Sequence, residues 1–229
     1  MYIFVTLVLF FLFYGLVSYL LKRRRLQLIM AMFRRYNSIG DVGYIEDWIR
    51  AKRGPARLLE TLDYLEKIEE RELALQVLSR FDLEAFPQRH IRVLACRLFT
   101  DEGLKEKALA LAEALMAAYP KDDSILDLYF HVHLSFDRRE TIRELLLERI
   151  GRKYEGTIFA RHYARFLAAE GDLAKAVAIM TKVEQKDFML YKNTFAQPHK
   201  KLIYDQYVES NRLLEEFKRQ LAEGTGRSS

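Results

Sequence analysis

Twenty consecutive residues near the start of the chain, Tyr2 to Leu21 (YIFVTLVLFFLFYGLVSYLL), carry no charge. As a helix this run is about 30 Å long, which matches the hydrocarbon core of a bilayer. Lipid offers no partner for backbone N–H and C=O groups, so a single spanning segment has to be helical. The pattern predicts a transmembrane anchor over residues 1–21. A cleaved leader is disfavoured: no basic residue precedes the run, the run is long, and no small-x-small cleavage site follows it. Lys22, Arg23, Arg24 and Arg25 close it instead and, with Arg34 and Arg35, form a basic membrane flank in a juxtamembrane helix or linker over 22–43. By the positive-inside rule the N-terminus is expected outside and the rest of the chain in the cytoplasm. Leu26 to Phe33 (LQLIMAMF) is apolar but too short to span. It either continues the helix with one face packed on the following domain, the preferred reading, or lies in the interface with Arg34 and Arg35 on anionic lipid.

Beyond Gly40-Asp41-Val42-Gly43, which breaks the pattern, apolar positions recur at helical spacing, and the whole arrangement repeats every 34 residues. The cleanest unit runs from His90 to Asp122 as helix, tight turn at Asp101-Glu102-Gly103, helix, and Pro120 as a stop. Shifting Gly103 by one period reaches Glu69, Asp137 and then Gly171. In the second helix of each unit Ala74, Ala108, Ile142 and Ala176 share a column, as do Val77, Leu111, Leu145 and Ile179. In the first helix Leu65, Phe99, His133 and Leu167 do the same. Small residues let paired helices approach, and large apolar ones fill the groove between them.

A helix-turn-helix period of 34 residues resembles the tetratricopeptide repeat (TPR) family. The likeness is best in VLACRLFTDEGLKEKALALAEALMAAYP and in ARHYARFLAAEGDLAKAVAIMTKV, and it covers units 55–88, 89–122, 123–156 and 157–190. The family's early Trp is missing, and its small first-helix residue is Leu62, Cys96, Phe130 and Ala164 in turn. Leu62 and Phe130 are bulky enough to splay their units. The resemblance implies a right-handed solenoid of helical hairpins, which after the N-terminal transmembrane helix read from the apolar run makes the expected fold all-α. Such hairpins bury their apolar faces only by stacking, and the ends of the stack need caps. Residues 44–54 predict an N-terminal capping helix. Residues 198–223 predict a long C-terminal one whose apolar stripe, Ile203, Tyr207, Leu214, Phe217 and Leu221, is interrupted at Ser210. A short coiled coil with a partner is the alternative for that helix. Lys186 to Gln197 (KDFMLYKNTFAQ) reads as an aromatic connection, completing the repeat region 55–197; it either folds into the cap or forms a contact patch. The tail 224–229 reads as disordered.

Composition narrows the function classes. Half the residues are hydrophobic, which permits a packed core, and only 4 Pro and 10 Gly are present, which favours helix. The net charge of +5 would suggest nucleic acid, but six of the 37 cations and none of the 32 acids lie in residues 1–40. The remainder is near neutral and has no basic face for phosphate, so nucleic-acid binding is not expected. The single cysteine, Cys96, excludes an intrachain disulfide and any multi-cysteine metal site.

No Gly-rich phosphate loop, paired-His metalloprotease motif or nucleophile elbow is present, so neither catalysis, cofactor nor metal is expected. His131 and His133 are two residues apart and fall on different faces of a helix, which argues against joint metal ligation. His133 sits in an apolar column and reads as a core histidine; Cys96 reads as packing. The TPR resemblance implies a concave groove lined by first helices that holds peptides or partner helices. Carried onto this chain, its lining is Asp63, Glu66, His90, Val93, Arg97, Asp127, His131, Arg161 and Arg165. The carboxylate clamp of the chaperone-binding members is missing, because Leu59 and Asp63 stand where its first Lys and Asn would be. Arg97, Arg161 and Arg165 suit an acidic protein partner through bidentate pairing, or else belong to an ordinary solvated face.

The leading expectation is a membrane-tethered adaptor that recruits or assembles protein partners. The alternative is a structural accessory subunit of a multi-protein membrane complex for envelope, secretion or polysaccharide assembly. The order of anchor then solenoid resembles bacterial inner-membrane assembly factors and also mitochondrial outer-membrane import receptors; the bacterial inner membrane is the preferred location. Oligomeric state is left open by the sequence.

Overall fold

The computed structural model describes the backbone of residues 2–51, 54–83, 86, 88–152, 157–195 and 197–225; for residues 2–12, 151–152, 157, 197–198 and 224–225 it describes backbone alone. All regular structure among the described residues is α-helical, in eleven helices, in agreement with the all-α expectation. The chain divides into two compact units, Met1–Glu102 and Gly103–Ser229.

The first unit begins with α1 (Tyr2–Ile39), a single helix of 38 residues that runs through the apolar segment and the basic cluster without a break. It ends at Gly40, whose φ of +73° is open to glycine at little cost. The side chains of residues 1–12, most of the expected anchor, lie outside the described residues. Among the described residues no helix is long and apolar enough to cross a membrane. Ile29, Met32 and Phe33 are buried, whereas Leu26, Leu28 and Met30 are exposed. One face of the Leu26–Phe33 stretch is therefore packed on the domain, and Phe33 stacks on Tyr64 at 5.0 Å between ring centroids.

α2 (Val42–Ala51) buries Ile45 and Ile49, and the Asp41 carboxylate accepts from the Gly43 N–H at 2.8 Å to start it. α3 (Gly54–Lys67), α4 (Arg71–Ser79) and α5 (Arg89–Asp101) follow. Leu58, Leu62, Leu65, Val77, Ile91 and Cys96 form their shared core. α3 carries Pro55 in its first turn, where the missing N–H costs nothing. Arg57 ties α3 back to α2: it donates to the Trp48 carbonyl and lies 4.3 Å from the Trp48 ring centroid.

The second unit contains α6 (Lys105–Ala118), α7 (Asp123–Ser135), α8 (Arg139–Arg152), α9 (Thr157–Ala169), α10 (Leu173–Asn193) and α11 (Gln197–Thr225). Asp122 caps α7 by accepting from the N–H of Ser124 at 2.9 Å. One core cluster joins Ala164, Leu167, Ala176 and Met180 of α9 and α10 to Leu214 and Phe217 of α11.

The period read from the sequence reappears in the backbone. Glu69, Gly103, Asp137 and Gly171 all have positive φ, at 60°, 70°, 55° and 88°. Each follows a first helix, and three of the turns close alike: Glu70, Arg138 and Asp172 donate their N–H groups five residues back to Leu65, His133 and Leu167.

Two boundaries differ from expectation. Lys186–Asn193, read as part of a connection, is the continuation of α10. No Gly or Pro lies between Asp172 and Gln197, so nothing stops the helix after its first turns. The tail expected from Gly224 is helical through Thr225, and residues 226–229 lie outside the described residues.

Candidate functional site

The nine groove residues fall in both units. In the first, Asp63 and Glu66 lie on α3, and His90, Val93 and Arg97 on α5. Asp63 and Val93 are half-buried; Glu66, His90 and Arg97 are exposed. A cavity of about 170 Å³ brings Glu66 and Arg97 together, over a floor that includes Leu62, Ala74, Leu78 and Leu94. Glu69, Arg71 and Asp101 complete its rim, while Asp63, His90 and Val93 do not line it. Leu62, a branched side chain in a column that otherwise includes small residues, is buried against this cavity. Arg71 is 4.0 Å from Glu102, but Arg97 makes no ion pair among the described residues.

In the second unit the groove residues Asp127, Arg161 and Arg165 are engaged within the chain. Asp127 on α7 lies 2.7 Å from Nε2 of His162 on α9. Arg161 is 3.6 Å from Asp187 of α10, and Arg165 is 2.6 Å from Glu209 of α11. His131 is half-buried on α7. Asp187 and Ser210 are both fully buried, and the Ser210 hydroxyl donates to Asp187 Oδ2 at 2.7 Å. The interruption in the stripe of α11 is thus a polar contact inside the α10–α11 interface.

The electrostatics follow burial. Burial pushes the His162 pKa below its ordinary value, against the Asp127 carboxylate, which favours the proton. Burial likewise lowers Arg165, opposed by Glu209. For Glu209 burial acts upward, but Arg212, Arg165 and Arg161 outweigh it and its pKa is lowered. His133 is buried, with Nε2 3.4 Å from Glu113 Oε1 but without hydrogen-bond geometry, and burial depresses it. Tyr129, beside it, donates to Glu113 at 3.1 Å; burial and then that carboxylate push its hydroxyl up to about 12.

Cys96 is buried in the first unit, and burial raises its thiol to about 12, too high for a nucleophile. Among the described residues no group of three or more His, Cys, Asp and Glu is placed to hold a metal ion. The basic flank divides: Lys22, Arg23, Arg24 and Arg34 are exposed, Arg25 lies 3.3 Å from Glu60, and Arg35 stands 5.3 Å from the Tyr44 ring centroid.

Sequence reasoning missed the partners Asp187, Glu209 and His162. Only Ser210 left a signal, as the gap in an apolar stripe. It also missed a second cavity of about 340 Å³ in the first unit, lined by Phe33, Tyr36, Tyr64, Glu70 and Gln76 among others.

Hairpins with a repeated left-handed turn define a TPR-like helical-repeat fold. Among solved structures the chain is similar to a tetratricopeptide repeat protein from Parabacteroides merdae ATCC 43184, with a TM-score of 0.53 and 12% identity over 87% of this chain and 77% of that one. At that identity the likeness is one of fold. No protein-family model matches the sequence, and none of the curated proteins does.

Proposed function

We propose that this chain is a protein–protein interaction adaptor tethered to a membrane, by residues 2–21, in the bacterial inner membrane. Its N-terminus is outside and its repeats are in the cytoplasm. The tether rests on twenty uncharged residues closed by Lys22, Arg23, Arg24 and Arg25. The adaptor role rests on one observation above all: Arg97, without an ion pair among the described residues, lines a cavity with Leu62, Ala74, Leu78 and Leu94 in a helical-repeat fold. Arg161 and Arg165 already have carboxylates from their own chain. The partner that fits is a peptide or helix placing an acidic group on Arg97 and an apolar side chain in the cavity. Holding that partner at the bilayer raises its effective concentration there.

Photoreactive residues at Glu66 and Asp101, which line the cavity and leave Arg97 in place, test this, with position 165 as the internal comparison. The reading expects crosslinks to a discrete partner from the first two positions and few from the third. Equal crosslinking from all three, or none, overturns it. Purification in mild detergent separates the adaptor from an accessory subunit: a fixed stoichiometric complex that survives high salt supports the subunit. Protease protection in intact cells reads the orientation, and digestion of the repeats from outside overturns it.

A further inference from the structure

α10 and α11 pack as an antiparallel hairpin whose buried core ends at Val183 and Leu213, closed by the Asp187–Ser210 pair. Past that pair the hairpin exposes several large apolar side chains. Met189, Leu190 and Leu202 are exposed, and Phe195 in the connection is 89% exposed. Beside them Tyr191 packs on Tyr204 at 5.3 Å and Phe188 on Tyr207 at 5.4 Å, and Phe188 and Tyr204 are themselves exposed.

Past Asp187, which is 0% exposed and bonded to Ser210, the hairpin carries Lys192, Lys200 and Lys201 near its turn, with Asp205 exposed one turn further along α11 and Glu209 already paired with Arg165. Lys192 lies 5.1 Å from the Phe188 ring and Lys200 5.1 Å from the Tyr191 ring, so both cations are held against the aromatic cluster.

We propose that this hairpin end is a bilayer-docking tip: Met189, Leu190, Phe195 and Leu202 enter the interface of an anionic membrane while Lys192 and Lys200 meet its headgroups. The distribution of the apolar side chains favours lipid over a protein groove. A groove reads one stripe of a helix, at three- and four-residue spacing. Here Phe188, Met189 and Leu190 are consecutive and point around the helix, with Phe195 at the turn and Leu202 on the other helix. Tyrosines and lysine stems suit the boundary between acyl chains and headgroups. The inference rests on the tethered reading only for the bilayer being at hand; the chemistry of the tip is independent of it.

The test uses the full chain with the environment-sensitive dye NBD on N193C, Cys96 being buried, reconstituted in vesicles of phosphatidylcholine alone or with phosphatidylglycerol. The expected result is a blue-shifted, brighter emission with phosphatidylglycerol, reversed by high salt. K192Q and K200Q should each lower the insertion equilibrium about fivefold, and M189S/F195S should abolish the response. A water-like emission in both vesicles overturns the proposal. A response only to an added acidic amphipathic helical peptide also overturns it, in favour of a protein partner. Flotation after alkaline carbonate reads residues 2–21 separately. A chain that fails to float but whose dye responds to added anionic vesicles loses the tether and keeps the tip; the converse loses the tip alone.

Discussion

Nε2 of His162 lies 2.7 Å from Oδ1 of Asp127, and this contact joins α9 to α7 in the second unit. It places a buried imidazole against a half-buried carboxylate in a region where the sequence suggested an open groove.

His162 and His133 both have pKa values lowered by burial, so the folded chain holds them neutral at a pH where the unfolded chain protonates them. The unfolded state then binds more protons, and stability falls as pH drops below about 6.5. The stability is fully present above that value and is lost toward the lower folded-state pKa. Each histidine contributes a slope of at most about 1.4 kcal/mol per pH unit. Thermal unfolding followed by circular dichroism should show Tm falling between pH 7.5 and 5.5. H133Q and H162Q should each flatten that dependence.

The Asp187–Ser210 contact is buried on both sides, so breaking it has no compensation from water. S210A should cost about 1–2 kcal/mol by leaving the carboxylate under-bonded. D187A should cost more, about 3 kcal/mol, because Arg161 loses its carboxylate in a largely buried setting. The double variant should cost less than the sum, since Asp187 is common to both losses. Urea unfolding of the three variants measures the coupling, and strict additivity would refute the linkage.

Glu69 and Asp137 adopt a left-handed backbone that disfavours side chains, at positions one period before and after Gly103. E69G and D137G should each stabilise by about 1 kcal/mol, and G103A and G171A should destabilise by a similar amount. A Cβ at Gly103 or Gly171 would meet nothing within 4 Å, so the effect is conformational and not a clash. Denaturant midpoints at unchanged slope check it.

The Cys96 thiol, raised to about 12 by burial, should label slowly with a thiol reagent at pH 8 while the chain is folded. Labelling should become rapid once denaturant unfolds the chain. Fast labelling of the native chain would show that the interface of α3, α4 and α5 opens readily.

Legibility in the sequence tracked how local each feature is. The turns at Glu69, Gly103, Asp137 and Gly171 were readable because helix, breaker and helix are encoded within a single repeat. The aromatic segment at Lys186–Asn193 was misread because its composition resembles a connection, whereas the helix needs only the absence of a breaker. Leu62 and Phe130, bulky in a column of small residues, are both buried, and Leu62 lines the cavity of the first unit. Arg161 and Arg165 were read as groove-lining cations on the first helix of a repeat, suited to an acidic partner. That they meet Asp187 and Glu209 was not legible, because those carboxylates arrive from helices further along the chain.

By itself the sequence determined the helical class, the period, the positions of the four left-handed turns and the uncharged N-terminal run. All of these depend on residues within about one repeat of each other, where periodicity and steric preference act directly. Only the tertiary structure decided which polar groups are spent inside the chain and which remain open. Arg71 with Glu102 and Arg139 with Glu170 pair at 4.0 Å and 3.0 Å in the same columns two repeats apart, yet Phe136 leaves Lys105 without the equivalent acid. Among the described residues Arg97 has no ion pair while Arg161 and Arg165 do, because an ion pair depends on where a distant carboxylate is carried by packing, and packing sums many weak contacts that no short stretch of sequence contains.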